Sequence, residues 1–519
     1  MSNIDILLIY PRLGSLDNLV RDIPLSLIYT ATSSVKNGYN VKILDCRVYP
    51  DRWKEKLDEY LSGGCTLVGL SVMTGNPISS SLEVSKYIKD NYNTPVVWGG
   101  PHPTILPEIT LNNEYIDYII RDWGSEPLYQ LISYLKGKLQ NIDKIIGLGY
   151  KRENRIFLNQ ETCQFEMLDY RDIPYHLIEP DLEYYNRFQG KEIFFPVFTA
   201  VGCPYQCAYC MSPGVYRKIK GKKWVPFSID SVLDHIGYLM QKYDFTRLQV
   251  YDDDTFVKLD RMKEFLLKYI ERGYNEKLKL DFRGVRINEL DRMDDEYLRI
   301  MTEANVEVML IGVEAGSDRI LKHLKKGIKV EQILRVSKKL NEYPSLKPNY
   351  NIFCGTPGET YEDLVETKNL MESLALDNSS CTIGLAADWK PMPGTVLTAL
   401  AVSEYSLKLP ETLEGWAKIE SFDAKKIEHP WYTKRINDYI KLLQVSGLLI
   451  DKKVELLEKE MCDNRFNLFR VLFLMAKMYR PFLRLRLKYN YSVFLIEFPI
   501  RNILMKLANR LSKAKSGHM

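Results

Sequence analysis

Three cysteines, Cys203, Cys207 and Cys210, fall within eight residues in the run Val-Gly-Cys-Pro-Tyr-Gln-Cys-Ala-Tyr-Cys. Thiolates are the usual protein ligands of iron-sulfur clusters, and the common clusters take four of them. With three, a four-iron cluster keeps one iron free for an outside ligand. Structural zinc wants four closed protein ligands, typically as two paired clusters. The nearest other cysteines, Cys163 and Cys354, stand alone and far away, so zinc needs a distant fourth ligand. Three merely buried thiols are the remaining reading.

The spacing C-x3-C-x2-C resembles the signature of the radical S-adenosylmethionine (SAM) enzymes, in which the open iron binds SAM through its amino and carboxylate groups. Tyr209 stands before the last cysteine, where that family generally has an aromatic. Further segments carry the resemblance onward. Tyr251-Asp252-Asp253-Asp254-Thr255-Phe256 ends a candidate strand, and the resemblance offers Asp252 and Asp253 to the SAM amino group; the alternative is an exposed acidic turn or helix cap. Arg286, in Phe282-Arg283-Gly284-Val285-Arg286, is a guanidinium that could pair with the SAM carboxylate or simply lie on the surface. Glu314, in Ile311-Gly312-Val313-Glu314-Ala315-Gly316-Ser317 ahead of Lys325-Lys326-Gly327, suits the ribose hydroxyls or the amino group, against a simple cap. Cys354-Gly355-Thr356-Pro357-Gly358-Glu359-Thr360 is similar to the turn that flanks the adenine, through Gly355, Pro357 and Gly358, and Cys354 reads as a buried thiol. Pro391-Met392-Pro393-Gly394-Thr395 resembles a segment common after the sixth strand in cobalamin-type members.

These residues need elements to position them. Strands are expected at Phe194 to Thr199, Arg247 to Val250, Leu278 to Phe282, Val308 to Ile311, Tyr350 to Phe353 and Thr382 to Leu385, alternating with helices. By resemblance, six parallel strands over residues 191–402 make a partial (β/α)6 barrel. Residues 141–190, of mixed polarity with Pro174 and Pro180, read as a connector, and residues 403–519 as a helical, basic domain.

Ahead of them, residues 1–140 alternate apolar runs with helix-like stretches, with strands at Ile4 to Tyr10, Val41 to Asp45, Leu67 to Val72, Val96 to Trp98 and Tyr118 to Ile120. That pattern predicts a doubly wound, Rossmann-like α/β domain whose ligands sit beyond the carboxyl ends of its strands. No G-x-G-x-x-G follows the first strand, so a dinucleotide is a poor guess. Leu70-Ser71-Val72-Met73-Thr74, Trp98-Gly99-Gly100-Pro101-His102-Pro103, Ile23 to Leu27 and Asp117 to Arg121 together resemble the cobalamin-binding domain found ahead of many radical SAM modules. The resemblance makes Ser71, Met73, Thr74, Gly99, Gly100, Pro101 and His102 candidate cobalamin contacts. The Asp-x-His-x-x-Gly motif that gives cobalt a histidine is absent, and a residue of the Met73 to Pro77 loop is the nearer candidate for the lower face. His102 equally reads as a loop histidine making a hydrogen bond.

Composition is that of a soluble globular chain, 45% hydrophobic and 27% charged, long enough for roughly three domains. Nine cysteines without disulfide-like spacing suggest a reducing interior, and the apolar start reads as a first strand rather than a leader, so the protein is expected to be cytoplasmic. The net charge of +4 hides an asymmetry. Residues 463–519 hold twelve Lys and Arg against two acids, a local +10, so the preceding 462 residues carry −6. Apolar Phe473, Phe482, Leu483, Phe494, Leu495 and Ile503 interleave there with Arg480, Arg484, Arg486, Arg501 and Lys506. One reading is helices packed on the barrel with a solvated basic face. The sharper one is a helix on an anionic inner-membrane surface, favouring a lipid or other hydrophobic substrate. No nucleic-acid-binding module accompanies the charge.

The resemblance implies a four-iron cluster, SAM and cobalamin, an external electron donor of flavodoxin or ferredoxin type, and methylation of an unactivated carbon of a small molecule or lipid by way of a deoxyadenosyl radical. Oxidative cyclisation or ring rearrangement with the same cofactors is the alternative, and a cobalamin or iron-sulfur sensor without turnover the second.

Overall fold

The computed structural model describes residues 3–498, apart from 15–16, 18–19, 154, 162–163, 187–193, 420–428, 462–467, 494, 496–497. Cys163, Phe494, Arg501, Ile503 and Lys506 lie outside the described residues.

The first sheet contains β1 (Ile4–Tyr10), β2 (Val41–Asp45), β3 (Cys65–Ser71), β4 (Val96–Gly99), β5 (Tyr118–Ile120), β6 (Leu148–Arg152) and β7 (Arg155–Leu158), in the order β2-β1-β3-β4-β5-β6-β7. The first five are parallel. Their near-continuous apolar runs are what burial on both faces by crossover helices requires. The order 2-1-3-4-5 places a switch point between β1 and β3, where a doubly wound sheet opens its ligand crevice. β6 and β7 correct the expectation of a bare connector over residues 141–190: they add antiparallel at the edge. Their half-exposed, charge-rich faces lack the apolar run that marks the inner strands.

The second sheet is parallel throughout: β8 (Phe194–Val197), β11 (Arg247–Val250), β12 (Lys279–Arg286), β13 (Val306–Glu314), β14 (Lys347–Cys354), β15 (Thr382–Ile383) and β16 (Ala387–Asp388). It runs in chain order from β8 to β14, with β15 and β16 both on β14, as an open partial barrel. Between β8 and β11 a short ribbon pairs β9 (Ala200–Gly202) with β10 (Trp224–Pro226) and frames the cysteine loop. The outer helices are amphipathic; Val330–Asn341 buries Ile333, Val336, Ser337 and Leu340, one stripe at helical spacing.

The two sheets meet at their carboxyl ends. Tyr251, just past β11, donates its hydroxyl to Asp22 in the loop after β1, and Arg283 of β12 pairs with the same carboxylate at 3.1 Å. Phe198 packs edge-on against Tyr29 at 5.6 Å. A Cβ at Gly394 would stand 2.7 Å from Ile105 of the first domain, and one at Gly214, beyond the cysteine loop, 2.9 Å from the Gly394 carbonyl. The Pro391 to Thr395 segment is thus wedged between both halves.

Beyond Tyr405 the described chain is helical. Helix Lys434–Leu449 is mostly buried, and Leu468–Lys488 lies along it. Among the described residues no helix is long and apolar enough to cross a membrane.

Asp363 ties two loops of the second sheet. Its carboxylate accepts from Ser317 Oγ after β13 (2.7 Å), from Thr360 N and Oγ1 after β14 (2.8 and 2.6 Å), and from Arg319. Burial raises its pKa, but these donors outweigh it and hold the carboxyl at about 2. Asp363→Ala removes a capping box and leaves buried Ser317 without its acceptor, so denaturant unfolding at pH 7 should show a loss of roughly 2–3 kcal/mol. Because the folded pKa lies below the unfolded value of about 3.9, that difference is complete above about pH 4 and shrinks as pH falls toward 2.

Candidate active site

The cysteine loop is held from every side by atoms other than its thiols. Ala208 donates its N–H to Leu324 O (2.9 Å) and accepts from Leu397 N (2.8 Å). Tyr205 donates its hydroxyl to Glu289 (3.0 Å), and the Tyr209 ring packs 5.0 Å from Phe353. Gly202 enters the loop at φ +81°, where its missing Cβ makes room for the Lys223 carbonyl and the Phe165 ring. Cys203 and Cys210 are half-buried and Cys207 buried. Burial lifts the Cys203 thiol to about 12, with Asp254, Asp253 and Cys210 adding to the rise; Cys210 is raised by burial and by Asp253 and Cys207. Three thiols near enough to oppose one another's ionisation need a cation to hold them as thiolates. Among the described residues no three His, Cys, Asp or Glu side chains converge as ligands of a single metal ion. Cys46, Cys65, Cys354 and Cys381 are free cysteines elsewhere in the fold, and Cys354 is fully buried at the end of β14. The donor set fits an iron-sulfur cluster, which Cys203, Cys207 and Cys210 would hold with one position left to SAM, and does not fit structural zinc.

Glu314 ends β13 in the left-handed region at φ +73°, and it and Lys326 are almost fully buried. Its Oε1 accepts from Tyr209 Oη (2.7 Å) and from Lys326 Nζ (2.7 Å), and Lys326 also reaches Tyr209 Oη at 3.2 Å. Gly312 leaves the space that the carboxylate and the ammonium fill. Glu314, Tyr209 and Lys326 therefore act as one unit. In the sequence Lys326 shows only as part of a Lys-Lys-Gly turn, and its place beside Glu314 comes from the fold. The neighbouring turn after β14 is built by Glu359, whose Oε2 accepts from Gly355 N (2.7 Å) and Thr356 N (2.8 Å); burial raises its pKa to about 7 against those donors. Gly355 O receives Trp431 Nε1 (3.2 Å) and Tyr432 Oη (3.3 Å), so an aromatic strap from the helical region closes over the turn. Gly355 and Gly358 both have positive φ; Pro357 is buried between them, and Gly358 O accepts from Arg319. The turn is a backbone cradle walled by rings, which fits a nucleobase.

Two of the expected SAM contacts are engaged elsewhere. Asp252 is buried, and its oxygens accept from Thr199 N (2.7 Å), Thr199 Oγ1 and Ala200 N (3.1 Å); burial lifts it to about 6 against these bonds. It fixes the exit of β8 into the cysteine loop rather than facing a ligand. Arg286 is turned to the loop itself, with Nη1 3.4 Å from Cys207 Sγ and Nη2 on Lys326 O, so it is neither a surface residue nor open to a carboxylate. Asp253 is the exposed member of the acidic run, taking Tyr216 Oη at 2.6 Å beside Cys203 and Cys210. Asp254 and Glu289, missed in the sequence, lie buried behind Arg286. Asp254 closes the acidic run that the sequence shows, and the signal for Glu289 is an acid three residues past Arg286.

At the first sheet, Gly100 (φ +97°) lies so near β3 that a Cβ would be 3.0 Å from Val72 N and O, while Gly99 meets only the Ile120 carbonyl at 3.6 Å. Ser71 and Pro101 are half-buried on either side. Met73, two residues past the carboxyl end of β3, is 45% exposed, a large apolar side chain left open there. That glycine cradle and open thioether fit a bulky flat cofactor. Thr74 and His102 do not face it: Thr74 Oγ1 and His102 Nδ1 bond at 3.0 Å, and the buried ring lies 6.1 Å from Trp416, with burial lowering its pKa to about 4. His102 makes the hydrogen bond of its second reading, from the short helix Pro101–Ile105 rather than from a loop.

Residues 197–371 match the model of the Radical SAM superfamily, and residues 14–132 match that of the B12 binding domain. The chain belongs to the cobalamin-dependent radical SAM enzymes. Its cofactors are accordingly a four-iron cluster, SAM and cobalamin, and it stands in a family that includes methyltransferases. It is 25% identical over 433 residues to an uncharacterized methyltransferase of Pyrococcus horikoshii, covering 83% of this chain and 88% of that one. It is 25% identical over 327 residues to the anaerobic magnesium-protoporphyrin IX monomethyl ester cyclase of Synechocystis, covering 62% of each chain. Among solved structures it is similar to the radical SAM methyltransferase TsrM from Kitasatospora setae, with a TM-score of 0.65 at 16% identity, covering 99% of this chain and all of that one.

The three loop cysteines should be the iron ligands. Alanine at Cys203, Cys207 or Cys210 should take anaerobically reconstituted protein from about four irons per chain to nearly none and bleach its brown absorbance, whereas Cys46→Ala and Cys381→Ala should keep both.

Proposed function

We propose that this enzyme is a C-methyltransferase that acts on an unactivated carbon of a small molecule. The observation that carries the proposal is the meeting of the two sheets at their carboxyl ends, through Asp22 with Tyr251 and Arg283 and through Gly394 against Ile105. When bound, the reduced cluster supplies one-electron cleavage of SAM, and cobalamin supplies a transferable methyl group. The chain's own part is to orient and to keep water out. Tyr209, Lys326 and Glu314 form a fixed buried charge pattern beside the cysteine loop, and Trp431 and Tyr432 seal the Gly355 turn. Such preformed, dry surroundings keep a reactive species on its target. Electrons come from an external donor of flavodoxin or ferredoxin type, and nucleic acid is not a partner.

Incubation of reconstituted enzyme with methyl-labelled SAM and a strong reductant tests the assignment. Label should appear on cobalamin. Release of deoxyadenosine with no label on cobalamin would favour instead the oxidative cyclisation that the cyclase relative suggests.

We further propose that this cytoplasmic enzyme works at an anionic membrane surface, on a lipid or other hydrophobic substrate. Helix Leu468–Lys488 buries Leu483 and Leu487 against the body, yet on its opposite side Leu474, Met478, Phe482 and Leu485 are each more than half exposed, and Tyr489 extends the row. They recur every three or four residues, a continuous apolar stripe bordered by exposed Arg484 and Lys488. The packed-helix reading accounts for the buried side but not for this stripe. An apolar face framed by cations matches the headgroup region of an anionic bilayer, where each nearby Lys or Arg contributes about 1 kcal/mol. The enzyme should sediment with phosphatidylglycerol vesicles and not with phosphatidylcholine vesicles, and Met478→Glu/Phe482→Glu should abolish sedimentation; unchanged sedimentation of that variant would remove the stripe from membrane binding.

A further inference from the structure

Arg286 makes a set of contacts that binding a ligand carboxylate does not explain. It is 7% exposed. Its Nη1 donates toward Cys207 Sγ at 3.4 Å, its Nη2 to Lys326 O, and its Nε to Asn288 Oδ1 at 3.1 Å. The guanidinium carbon lies 3.7 Å from the centre of the Tyr205 ring, a residue of the cysteine loop. Each edge of the fork is therefore occupied and one face is stacked, which a lysine could not reproduce.

Behind the guanidinium lie two carboxyl groups that water hardly reaches, Asp254 at 1% and Glu289 at 0% exposure, with Asp254 Oδ2 3.9 Å from Arg286 Nε. Tyr205 donates its hydroxyl to Glu289 Oε1 at 3.0 Å. The remaining oxygens, Asp254 Oδ1 and Glu289 Oε2, have no other hydrogen-bond partner and are left to share a proton with each other. Two adjacent buried carboxylates cannot both stay charged. Burial, then the neighbouring Glu289, raises Asp254 above the usual carboxylate range, and burial likewise raises Glu289. The pair thus carries one negative charge, which balances the arginine and keeps it aimed at the sulfur.

We propose that Arg286 is a positioning residue of the iron-sulfur site that sets the cluster's reduction potential through its N–H···S bond to Cys207, held there by Tyr205, Asn288 and the Asp254–Glu289 pair. Reduction adds negative charge that spreads onto the cysteine sulfurs. A donor of full positive charge in a poorly solvated site stabilises that added charge and raises the potential. Partners of metal ligands tune a site in this way without touching the metal.

The test is a redox titration of the anaerobically reconstituted enzyme, followed by the electron paramagnetic resonance of the reduced cluster, with iron content measured alongside. Arg286→Gln should keep its iron and shift the midpoint to more negative potential. Asp254→Asn/Glu289→Gln, which leaves the arginine's charge unbalanced, should shift it the other way. Full iron with an unchanged midpoint in Arg286→Gln, accompanied or not by weaker SAM binding, overturns the proposal. If that variant loses its iron, the double variant decides, and an unchanged midpoint there overturns it equally.

Discussion

Parallel strands impose the constraint from which the rest of this molecule follows. A strand that must be re-entered from the same end returns through a helix, so its carboxyl end always opens into a loop, and all such loops gather on one edge. Both sheets here obey that rule, and the chain has folded the two loaded edges against each other. The loops after β1 and β4 face those after β8 and β11, with the Asp22 carboxylate shared by Tyr251 and by Arg283 of β12 at the seam. Neither edge can turn away without breaking the two bonds to the half-buried Asp22 carboxylate. Those bonds are directional and fix how the halves are oriented, whereas apolar contact is non-directional.

Within the barrel the loops are held by short-range polar bonds that converge on main-chain atoms. Asp252 holds the exit of β8, Glu359 the turn after β14, and Asp363 joins the loops after β13 and β14. Each uses a carboxylate that burial disfavours and several N–H or O–H donors that restore it. Glu314 carries an added cost, since a non-glycine residue at φ +73° is strained by about 1–3 kcal/mol. The bonds from Tyr209 and Lys326 offset that strain and point the side chain beside the cysteine loop. Strain kept in place by redundant partners marks a position selected for aim rather than for stability.

Much of this was legible from residue order. The strands β1, β2, β5 and β11 fall where their apolar runs end, because burial on both faces leaves a continuous signature. The strands β12, β13 and β14 run two to four residues beyond their apolar cores at one end or both, since a strand in an open barrel continues for as long as its neighbours supply hydrogen bonds, a long-range property. β6 and β7 were missed for the complementary reason: an edge hairpin with one solvated face has no run to detect. In the site, the three cysteines and the glycine turns could be read because spacing and backbone freedom are local. Lys326, Asp254 and Glu289 could not, since their importance lies in what the fold brings beside them from 12 to 117 residues away.

The run Asp252-Asp253-Asp254 shows where sequence reasoning stops. Three identical side chains follow one strand end, and alternation alone would send the first and third to one side and the second to the other. That much is observed: Asp252 and Asp254 are buried and Asp253 is exposed. The two buried acids nevertheless have opposite fates. Asp252 meets only donors, the amides of Thr199 and Ala200 and a hydroxyl, and caps a turn. Asp254 meets another carboxyl and an arginine, and must keep a proton to remain there. The difference arises from the partners, Thr199 on β8's exit for one and Glu289 on the turn after β12 for the other, and no property of the aspartates themselves encodes it. A run of acids at a strand tip is therefore three separate questions, each answered by the element that packs against it.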